Sequence, residues 1–253
     1  MTNKLNPFVY EECLSSAVKF PDIPVLLNEH YAQCAEDVIV LSILQAIESR
    51  FQIELEKQRY LEIGGNHPIA TSSTFLLQKR LGMRGVIVEA NPDLIDDLRR
   101  VRAHDTVVHA AVTAHAVDSV KLSVSNASEI SSLDREFVHR WQGGEVGERA
   151  YINVPARRIN DIIAQELDGI APVYLSVDIE GLDLDVLRDL DFAEYRPAVI
   201  QAEPSDYYLP GNTARMTEFM SSVGYDLSSR TRVNLIYVDR LIEESEQKRR
   251  RPV

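Results

Sequence analysis

Residues 60–68 read YLEIGGNHP, and the fold prediction starts from this stretch. The pattern predicts a short buried strand that ends in a tight glycine turn. Residues 71–77, TSSTFLL, predict the start of a helix with Ser and Thr side chains as capping oxygens. Residues 85–89, GVIVE, predict a second strand, which ends in Glu89. Strand, glycine turn, helix and acid-ended strand are typical of a nucleotide-binding βαβ unit, in which the terminal carboxylate accepts hydrogen bonds from ribose hydroxyls.

The glycine turn departs from the dinucleotide-binding fingerprint. Counted from Gly64, the pattern G-x-G-x-x-G requires glycines at positions 66 and 69, where this chain has Asn66 and Ile69. A pyrophosphate would lose its closest backbone approach at this turn, so NAD and FAD are disfavoured as ligands. S-adenosylmethionine has a ribose but no phosphates, and it fits a less glycine-rich turn with an acid after each of the first two strands. A structural βα turn with a surface-exposed Glu89 is the alternative.

Composition and charge limit the domain count and the partners. The chain has 253 residues, 45% of them hydrophobic, which is enough for the core of a single α/β domain. Its formal net charge of -12 repels phosphate backbones, so we do not expect a nucleic-acid partner. The basic cluster at residues 248–251, KRRR, is interpreted as a solvated tail.

Cysteine usage and hydropathy predict a cytoplasmic protein without a membrane partner. The two cysteines, Cys13 and Cys34, lie far apart and lack metal-binding spacing, so free thiols in a reducing compartment are expected. No apolar run approaches the length of a membrane span, and the N-terminus has no apolar signal-peptide core. The sequence does not show the oligomeric state, so a monomer and a homodimer both stay open.

The rest of the chain alternates strand and helix patterns, which predicts a sheet with helices on both faces. Further strands are predicted at residues 106–112, 120–125, 151–155, 173–178, 198–203, 226–227 and 233–238. Helices are predicted at residues 31–47, 92–102, 159–167 and 213–223, with another after Gly181. The polar segment 126–147 interrupts this alternation, with Phe137 and Trp141 at helical spacing. It either borders a substrate site or is an ordinary surface excursion.

Carboxylates are predicted at the carboxyl ends of four strands, where ligands bind in such sheets. They are Glu62, Glu89, Asp178 and Glu203, and Glu180 follows directly behind Asp178. Carboxylates this close repel one another, so cations are expected beside them, namely a sulfonium, a metal ion or both.

Asp178, Glu180 and Glu203 form the predicted catalytic and metal-binding centre, with Mg²⁺ as the proposed ion. Residues 178 and 180 have the same parity, so both side chains point to one side if the extended backbone continues. Metal coordination would lower the pKa of a substrate hydroxyl. Without a metal, Asp178 or Glu180 would act as a general base. In the simpler alternative, Asp178 contacts only the cofactor and Glu180 caps the following helix.

These stretches together resemble the FkbM family of S-adenosylmethionine-dependent methyltransferases. The resemblance rests on LEIGGNH at 61–67, RGVIVEANP at 84–92, LSVDIEGLD at 175–183, and YRPAVI at 195–200 before Glu203. Residues 33–37 resemble the family's lead-in motif and residues 234–238 its closing strand. The resemblance implies a Rossmann-like class I methyltransferase fold: a mostly parallel seven-stranded sheet with helices on both faces and an antiparallel last strand.

The implied activity is transfer of a methyl group from S-adenosylmethionine to a hydroxyl oxygen of a small molecule, either a sugar or a natural product. The predicted cofactor-binding residues are Glu62, Gly64, Gly65, Asn66, His67, Glu89, Ala90 and Asp178. We assign residues 1–55 to an N-terminal helical extension and residues 56–253 to the methyltransferase domain. Two other functions stay open: a non-catalytic protein of the same fold that binds a nucleotide or sugar, and an NAD-dependent nucleotide-sugar oxidoreductase.

The start of the first predicted helix carries three polar residues, Gln33, Glu36 and Asp37. We expect them to border the acceptor cleft together with the segment 126–147. Acids at a helix start also suit the helix dipole, which is the alternative explanation for this pattern.

Overall fold

The computed structural model of the protein describes residues 29–126, 131–140 and 147–242. Its strands are β1 (Arg59–Ile63), β2 (Arg84–Glu89), β3 (Thr106–His109), β4 (Ala111–Val112), β5 (Ser119–Ser125), β6 (Glu148–Arg157), β7 (Tyr174–Val177), β8 (Val199–Ala202), β9 (Tyr225–Arg230) and β10 (Leu235–Asp239). Its helices are α1 (Glu36–Phe51), α2 (Phe75–Leu81), α3 (Pro92–Val101), α4 (Arg135–Arg140), α5 (Ile159–Glu166), α6 (Asp183–Asp189) and α7 (Asn212–Ser222), with a 3₁₀ helix at Leu55–Lys57. Within the described ranges, no helix combines the length and apolar character of a membrane span. Cys13, Trp141 and the basic cluster at 248–251 lie outside the described residues.

Seven strands form one sheet in the order β3-β2-β1-β7-β8-β10-β9. Neighbouring strands are parallel except at β10, which runs antiparallel to β8 and β9. Leu61 of β1 pairs with Val86 of β2 and with Leu175 of β7, so the first βαβ unit lies in the middle of the sheet. The expected Rossmann-like class I methyltransferase fold is therefore confirmed, including its antiparallel last strand.

Helices cover both faces of this sheet, as the alternation of strands and helices predicted. Leu61 and Ile63 belong to the core that packs against α5, α6 and α7. Tyr60 and Tyr174 belong to the core on the opposite face, which packs against α1 and α2. Since a fully buried aliphatic or aromatic side chain contributes about 1.5–3 kcal/mol, both faces stabilise the sheet that carries the site.

Helix α1 begins at Glu36, not at residue 31, and ends at Phe51. The flanking residues Ala35 and Gln52 have left-handed backbone conformations, with φ of 59° and 54°, which a right-handed helix cannot continue. The apolar residues of α1 pack directly on the main sheet. The division of the chain at residue 55 into an extension and a domain stays a prediction.

The predicted third strand, residues 106–112, is divided between two sheets. β3 lies at the edge of the main sheet, whereas β4 pairs in parallel with β6 of a small sheet in the order β4-β6-β5. The Ala110 N–H donates to the Glu89 carbonyl oxygen at the end of β2 (3.0 Å). Beyond this hydrogen bond the chain leaves the main sheet and enters β4. β6 extends beyond the predicted residues 151–155 because it pairs antiparallel with the whole length of β5.

Helix α2 begins at Phe75 rather than at residue 71. The N-cap residue Thr74 makes no side-chain capping bond, and the Ser72 hydroxyl instead accepts hydrogen bonds from the N–H groups of Thr74 (3.3 Å) and Phe75 (3.2 Å). Residues 66–74 therefore form a loop between the glycine turn and α2, and we call this segment the cofactor loop after the cofactor-binding role predicted for Asn66 and His67.

Candidate active site

A cleft opens beyond the carboxyl ends of β1, β2 and β7. One end, beyond β2 and β3, is apolar and is lined by Ala90, Ala110, Val112, Leu122 and Leu133. The other end, beyond β1 and β7, is polar and is lined by Gln33, Gly64, Asn66, Thr71, Asp178 and Glu180. Because β2 lies between β3 and β1, its terminal residue Glu89 stands where the two ends meet.

The Glu89 carboxylate lines the cleft and is almost fully buried. One of its oxygens accepts the Asn66 N–H (2.8 Å), and the other accepts the Asn91 N–H (2.7 Å). Burial raises the pKa of Glu89 above its usual range, and these backbone donors act against that shift. An ionised carboxylate has about four lone-pair sites, so Glu89 has capacity for further hydrogen bonds from ribose hydroxyls.

The turn after β1 needs glycine at its first two positions. Gly64 has a φ of +87°, and a Cβ there would lie 1.8 Å from the Asp178 carbonyl oxygen. A Cβ on Gly65 would lie 2.3 Å from Cγ2 of Ile87. The two glycines therefore allow the turn to lie directly against β2 and the residue that follows β7.

Asn66 stands where the dinucleotide fingerprint has its second glycine, and it lines the cleft. Its backbone has a φ of +36°, and its N–H donates to Glu89. Its side-chain oxygen Oδ1 is buried and has no hydrogen-bond partner among the described residues. A buried acceptor without a donor is costly, so this atom fits a donor group on a bound ligand.

Glu62 lies behind the cofactor loop and does not line the cleft. Its buried carboxylate accepts hydrogen bonds from the Ser73 N–H (2.7 Å) and from the hydroxyls of Ser72 (3.2 Å) and Thr74 (2.6 Å). Burial raises the pKa of Glu62, against the effect of the nearby Arg102 guanidinium. The structure therefore gives Glu62 contacts that hold the cofactor loop.

Two further predicted cofactor residues differ in position. Ala90 lines the apolar end of the cleft, and its carbonyl oxygen contacts Nε2 of His109 at 3.1 Å. His67 is exposed and does not line the cleft. Its Nδ1 accepts the N–H groups of Ile69 (3.1 Å) and Ala70 (2.8 Å), so His67 shapes the cofactor loop from outside.

The sequence analysis missed Arg102, whose fully buried side chain lies behind the cofactor loop. Its guanidinium donates to the Pro68 carbonyl oxygen (3.2 Å) and to the hydroxyls of Ser72 (3.0 Å) and Thr74 (2.8 Å). It also forms an ion pair with Asp105 at 2.9 Å. Three of these partners precede Arg102 by 28 to 34 residues, so local spacing gave no signal for this role.

The structure brings Asp178, Glu180 and Glu203 together, with one carboxylate oxygen of each within 4.8 Å of the others. We call these three residues the acid cluster. The parity argument for residues 178 and 180 is wrong, because β7 ends at Val177 and Glu180 has a left-handed φ of 59°. The backbone turns at Glu180 and Gly181, and this turn brings the carboxylates together in place of an extended strand.

Burial and mutual repulsion change the protonation of the acid cluster. Burial raises the pKa of Glu203 far above its usual range, and the charges of Asp178 and Glu180 add to the shift. Burial also raises the pKa of Asp178, while a hydrogen bond with Glu203 acts in the opposite direction. The stronger upward shift belongs to Glu203, so these shifts favour a proton that the pair holds mainly on Glu203.

The sequence analysis also missed a structural role for Asp183, in the first turn of α6. Its fully buried carboxylate accepts the N–H groups of Glu203 (3.1 Å) and Ile179 (3.4 Å), and it thereby joins the segments that follow β7 and β8. No side chain caps α6, so the alternative role of Glu180 as a helix cap is not observed. The run DIEGLD at residues 178–183 was the available signal for Asp183.

The segment 126–147 contributes a wall beside the acid cluster. Its residues 131–133 line the cleft, and the Ser132 hydroxyl donates to the Glu180 carbonyl oxygen (3.0 Å). The Tyr207 hydroxyl donates to the Glu180 carboxylate (3.3 Å). Tyr207, which the sequence analysis did not select, therefore holds Glu180 in place while its ring stays partly exposed.

The three polar residues at the start of α1 have different environments. Gln33 is exposed and lines the polar end of the cleft. Glu36 and Asp37 are fully buried and do not line it. The expectation that all three border the cleft therefore holds for Gln33 alone.

Methyltransferases are the class of protein that this sheet order and this cleft indicate. The Methyltransferase FkbM domain family matches residues 62–227, and the chain belongs to this family. The match begins at Glu62, so α1 and Gln33 lie outside it. A search of curated proteins gives no significant match.

Several solved structures are similar to this chain at low sequence identity. Methyltransferase FkbM from Methylobacillus flagellatus KT is 14% identical, with a TM-score of 0.47, and the similarity covers 92% of this chain and 58% of that one. An O-methyltransferase from Bacillus cereus in complex with SAH is 13% identical, with a TM-score of 0.43 and coverage of 93% and 92%. An RNA methyltransferase from Salinibacter ruber in complex with S-adenosyl-L-homocysteine is 11% identical, with a TM-score of 0.37 and coverage of 78% and 88%. Similarity at this level gives no information about which molecule accepts the methyl group from this chain.

Proposed function

We propose that this chain transfers a methyl group from S-adenosylmethionine to a hydroxyl oxygen of a sugar or natural-product small molecule. The observation that carries the proposal is the position of Glu89, a buried carboxylate at the junction of an apolar and a polar half of one cleft. S-adenosylmethionine is a nucleoside with an amino-acid arm, and its adenine, ribose and arm follow one another in the same order as the apolar half, Glu89 and the polar half of the cleft. Its adenine suits the apolar half, its ribose hydroxyls suit Glu89, and its amino-acid arm suits the polar half.

The turn after β1 supports S-adenosylmethionine over a dinucleotide. Asn66 lines the cleft, and its buried side-chain oxygen has no hydrogen-bond donor among the described residues. Such an acceptor fits a hydroxyl or ammonium donor rather than a phosphate. The acids Glu89, Asp178 and Glu180 also line the cleft. Three carboxylates would repel a pyrophosphate and attract a sulfonium cation.

The acid cluster supports an enzyme over a protein that only binds. When bound, S-adenosylmethionine supplies a methyl group on a positively charged sulfur. The acceptor oxygen forms a bond to the methyl carbon as the sulfur–carbon bond breaks, and S-adenosylhomocysteine is released. The hydroxyl proton passes to the Asp178 carboxylate, which is ionised because Glu203 holds the proton of the pair.

The same three carboxylates would also suit Mg²⁺, because they offer hard oxygen ligands within 4.8 Å of one another. Bound there, the ion would lower the pKa of an acceptor hydroxyl and fix its position. Proton and metal compete for Glu203, since its proton must leave before the carboxylate coordinates an ion. A general base and a metal site are thus two uses of the same cluster.

Net charge and cysteine usage support a small-molecule methyl acceptor and a cytoplasmic location for the protein. A formal net charge of -12 disfavours acceptors with a phosphate backbone, which supports a small molecule. The chain has two cysteines without metal-binding spacing, which supports a reducing, cytoplasmic environment.

Replacement of Glu89 tests the cofactor assignment. We expect Glu89→Ala to weaken binding of S-adenosylhomocysteine about tenfold or more, because a hydrogen bond to a charged group contributes roughly 1.5–3 kcal/mol. Isothermal titration calorimetry measures this affinity, and circular dichroism confirms that the variant is folded. Asp97→Ala, which removes an exposed acid on α3, is the matched control and should bind like wild type. An unchanged affinity in folded Glu89→Ala would remove the basis for the assignment.

A further inference from the structure

Residues 29–35, which we call the N-terminal strap, pack against the start of α2. The ring of Tyr31 contacts Phe75 edge-on, with the ring centroids 4.7 Å apart. Lys79 of α2 donates to the Tyr31 hydroxyl (2.7 Å) and to Glu29 (3.2 Å). The strap therefore lies beside the cofactor loop, although it is outside the part of the chain that the family match covers.

Two buried carboxylates fix the strap on either side of Gln33. Asp37 Oδ2 accepts the Tyr31 N–H at 2.7 Å, and Glu36 Oε2 accepts the Cys34 N–H at 2.8 Å. The other Glu36 oxygen accepts the hydroxyl of Thr231, between β9 and β10, at 2.6 Å. Burying carboxylates is costly unless they are hydrogen-bonded, so these contacts define one position for the strap.

Gln33 lies between Tyr31 and Cys34, the two strap residues whose backbone N–H groups the buried carboxylates bind, and its side chain lines the cleft. Its side chain is exposed and lines the polar end of the cleft, together with Gly64 of the glycine turn and with Asn66 and Thr71 of the cofactor loop. Its amide group offers two N–H donors and one acceptor. The two anchors fix the backbone on either side of Gln33, so only the side-chain torsions of this residue lose freedom when it binds a ligand.

The charges of the cleft determine what the amide of Gln33 would recognise. Among the described residues that line the cleft, there is no Lys, Arg or His, and three are acids. An α-carboxylate on a bound cofactor must therefore be met by neutral donors. The Thr71 hydroxyl donates to the Ala70 carbonyl oxygen (2.6 Å). The side-chain amide of Gln33, at the same end of the cleft, is a neutral group that can donate to a carboxylate.

We propose that Gln33 donates a hydrogen bond to the α-carboxylate of the cofactor and selects for its amino-acid arm. This inference rests on the proposed function, because it assumes a cofactor with such an arm. It extends the site to a residue outside the matched family domain. Glu36 and Asp37 then act as positioning residues for Gln33.

Two ligands that differ only in the amino-acid arm test this assignment. S-adenosylhomocysteine carries the arm, whereas 5′-methylthioadenosine keeps the nucleoside and the sulfur but lacks it. By calorimetry, we expect Gln33→Ala to weaken S-adenosylhomocysteine about tenfold, the size expected for a hydrogen bond to a charged group, and to leave 5′-methylthioadenosine unchanged. We expect Gln33→Glu to weaken S-adenosylhomocysteine further, because it sets a negative charge against the carboxylate. Gln45→Ala, at an exposed glutamine on α1, is the control and should bind both ligands normally.

The other outcomes each have a definite meaning. Unchanged binding of S-adenosylhomocysteine to Gln33→Ala, or an equal loss for both ligands, would overturn the role of Gln33. Tighter binding to Gln33→Glu would also overturn it, since the residue would then face the ammonium group. Failure of the wild-type protein to bind S-adenosylhomocysteine would instead contradict the proposed function itself.

Discussion

Asp178→Asn is expected to lower methyl transfer by about 10²–10⁴-fold, the usual contribution of a general base. The amide cannot take the acceptor proton, and it also removes the charged partner of Glu203. The variant should remain folded, because it removes one negative charge from a crowded acid cluster. The assay is release of S-adenosylhomocysteine with an acceptor found by screening hydroxylated sugars and natural products. Asp185→Asn, at an exposed acid on α6, is the matched control and should keep full activity. Near-wild-type turnover in both Asp178→Asn and Glu180→Gln would rule out the acid cluster as the catalytic centre.

The raised pKa values of Asp178 and Glu203 give activity and stability opposite pH dependences. Activity requires an ionised Asp178, so it should rise with pH through a pKa above the ordinary value for an aspartate. Both acids bind protons more tightly in the folded than in the unfolded chain. Their contribution to stability is therefore largest at low pH and is lost as pH rises through the raised pKa values.

The same turnover assay separates the metal from the general base. If Mg²⁺ is required, EDTA treatment abolishes turnover and added Mg²⁺ restores it. Since protons compete for Glu203, the concentration of Mg²⁺ needed should then rise as pH falls. Full activity in EDTA would leave Asp178 as the base without a metal.

Gly64→Ala is expected to have the largest effect on stability. Its Cβ would lie 1.8 Å from the Asp178 carbonyl oxygen, and backbone atoms cannot move aside as a flexible side chain does. The Asp178 N–H donates to the Ile63 carbonyl oxygen (2.9 Å), so a shift there would break a hydrogen bond between β1 and β7. We expect a loss of at least about 4 kcal/mol, among the largest single-residue effects, together with loss of S-adenosylhomocysteine binding.

Gly82→Ala is the matched control for this prediction. Gly82 also has a positive φ, +66°, but a Cβ there would meet no atom within 4 Å. Its substitution should cost only the strain of a left-handed alanine, about 1–2 kcal/mol. In a chain of this size that corresponds to a decrease in Tm of roughly 2–4 °C per kcal/mol. Equal decreases for the two variants would show that the contact with Asp178 is unimportant.

Local patterns predicted those parts of the fold and site that depend on the ends of strands. The stretch YLEIGGNHP, the acid-ended β2 and the run DIEGLD placed Glu89, Asp178 and Glu180 at one edge of the sheet before any contact was known. The small sheet was less predictable. Pro155 lies within β6 and made that strand look shorter than it is.

The sequence could not show which buried acids face the cleft and which hold loops. Glu36, Asp37 and Glu62 have the residue types of a binding site, yet their hydrogen-bond partners are backbone and hydroxyl groups of the strap, the cofactor loop and the β9–β10 connection. Arg102 was missed for the same reason, because its partners lie far away along the chain. Such roles depend on tertiary contacts that residue spacing does not contain.

Calorimetric titration of the wild-type chain with S-adenosylhomocysteine and with NAD tests whether the cleft binds S-adenosylmethionine. We expect saturable binding of one S-adenosylhomocysteine per chain, because Glu89, Asn66 and the polar end of the cleft suit a nucleoside with an amino-acid arm. We expect no binding of NAD, because Asn66 and Ile69 replace two glycines of the dinucleotide fingerprint and three acids line the cleft. Binding of NAD without binding of S-adenosylhomocysteine would refute the cofactor assignment.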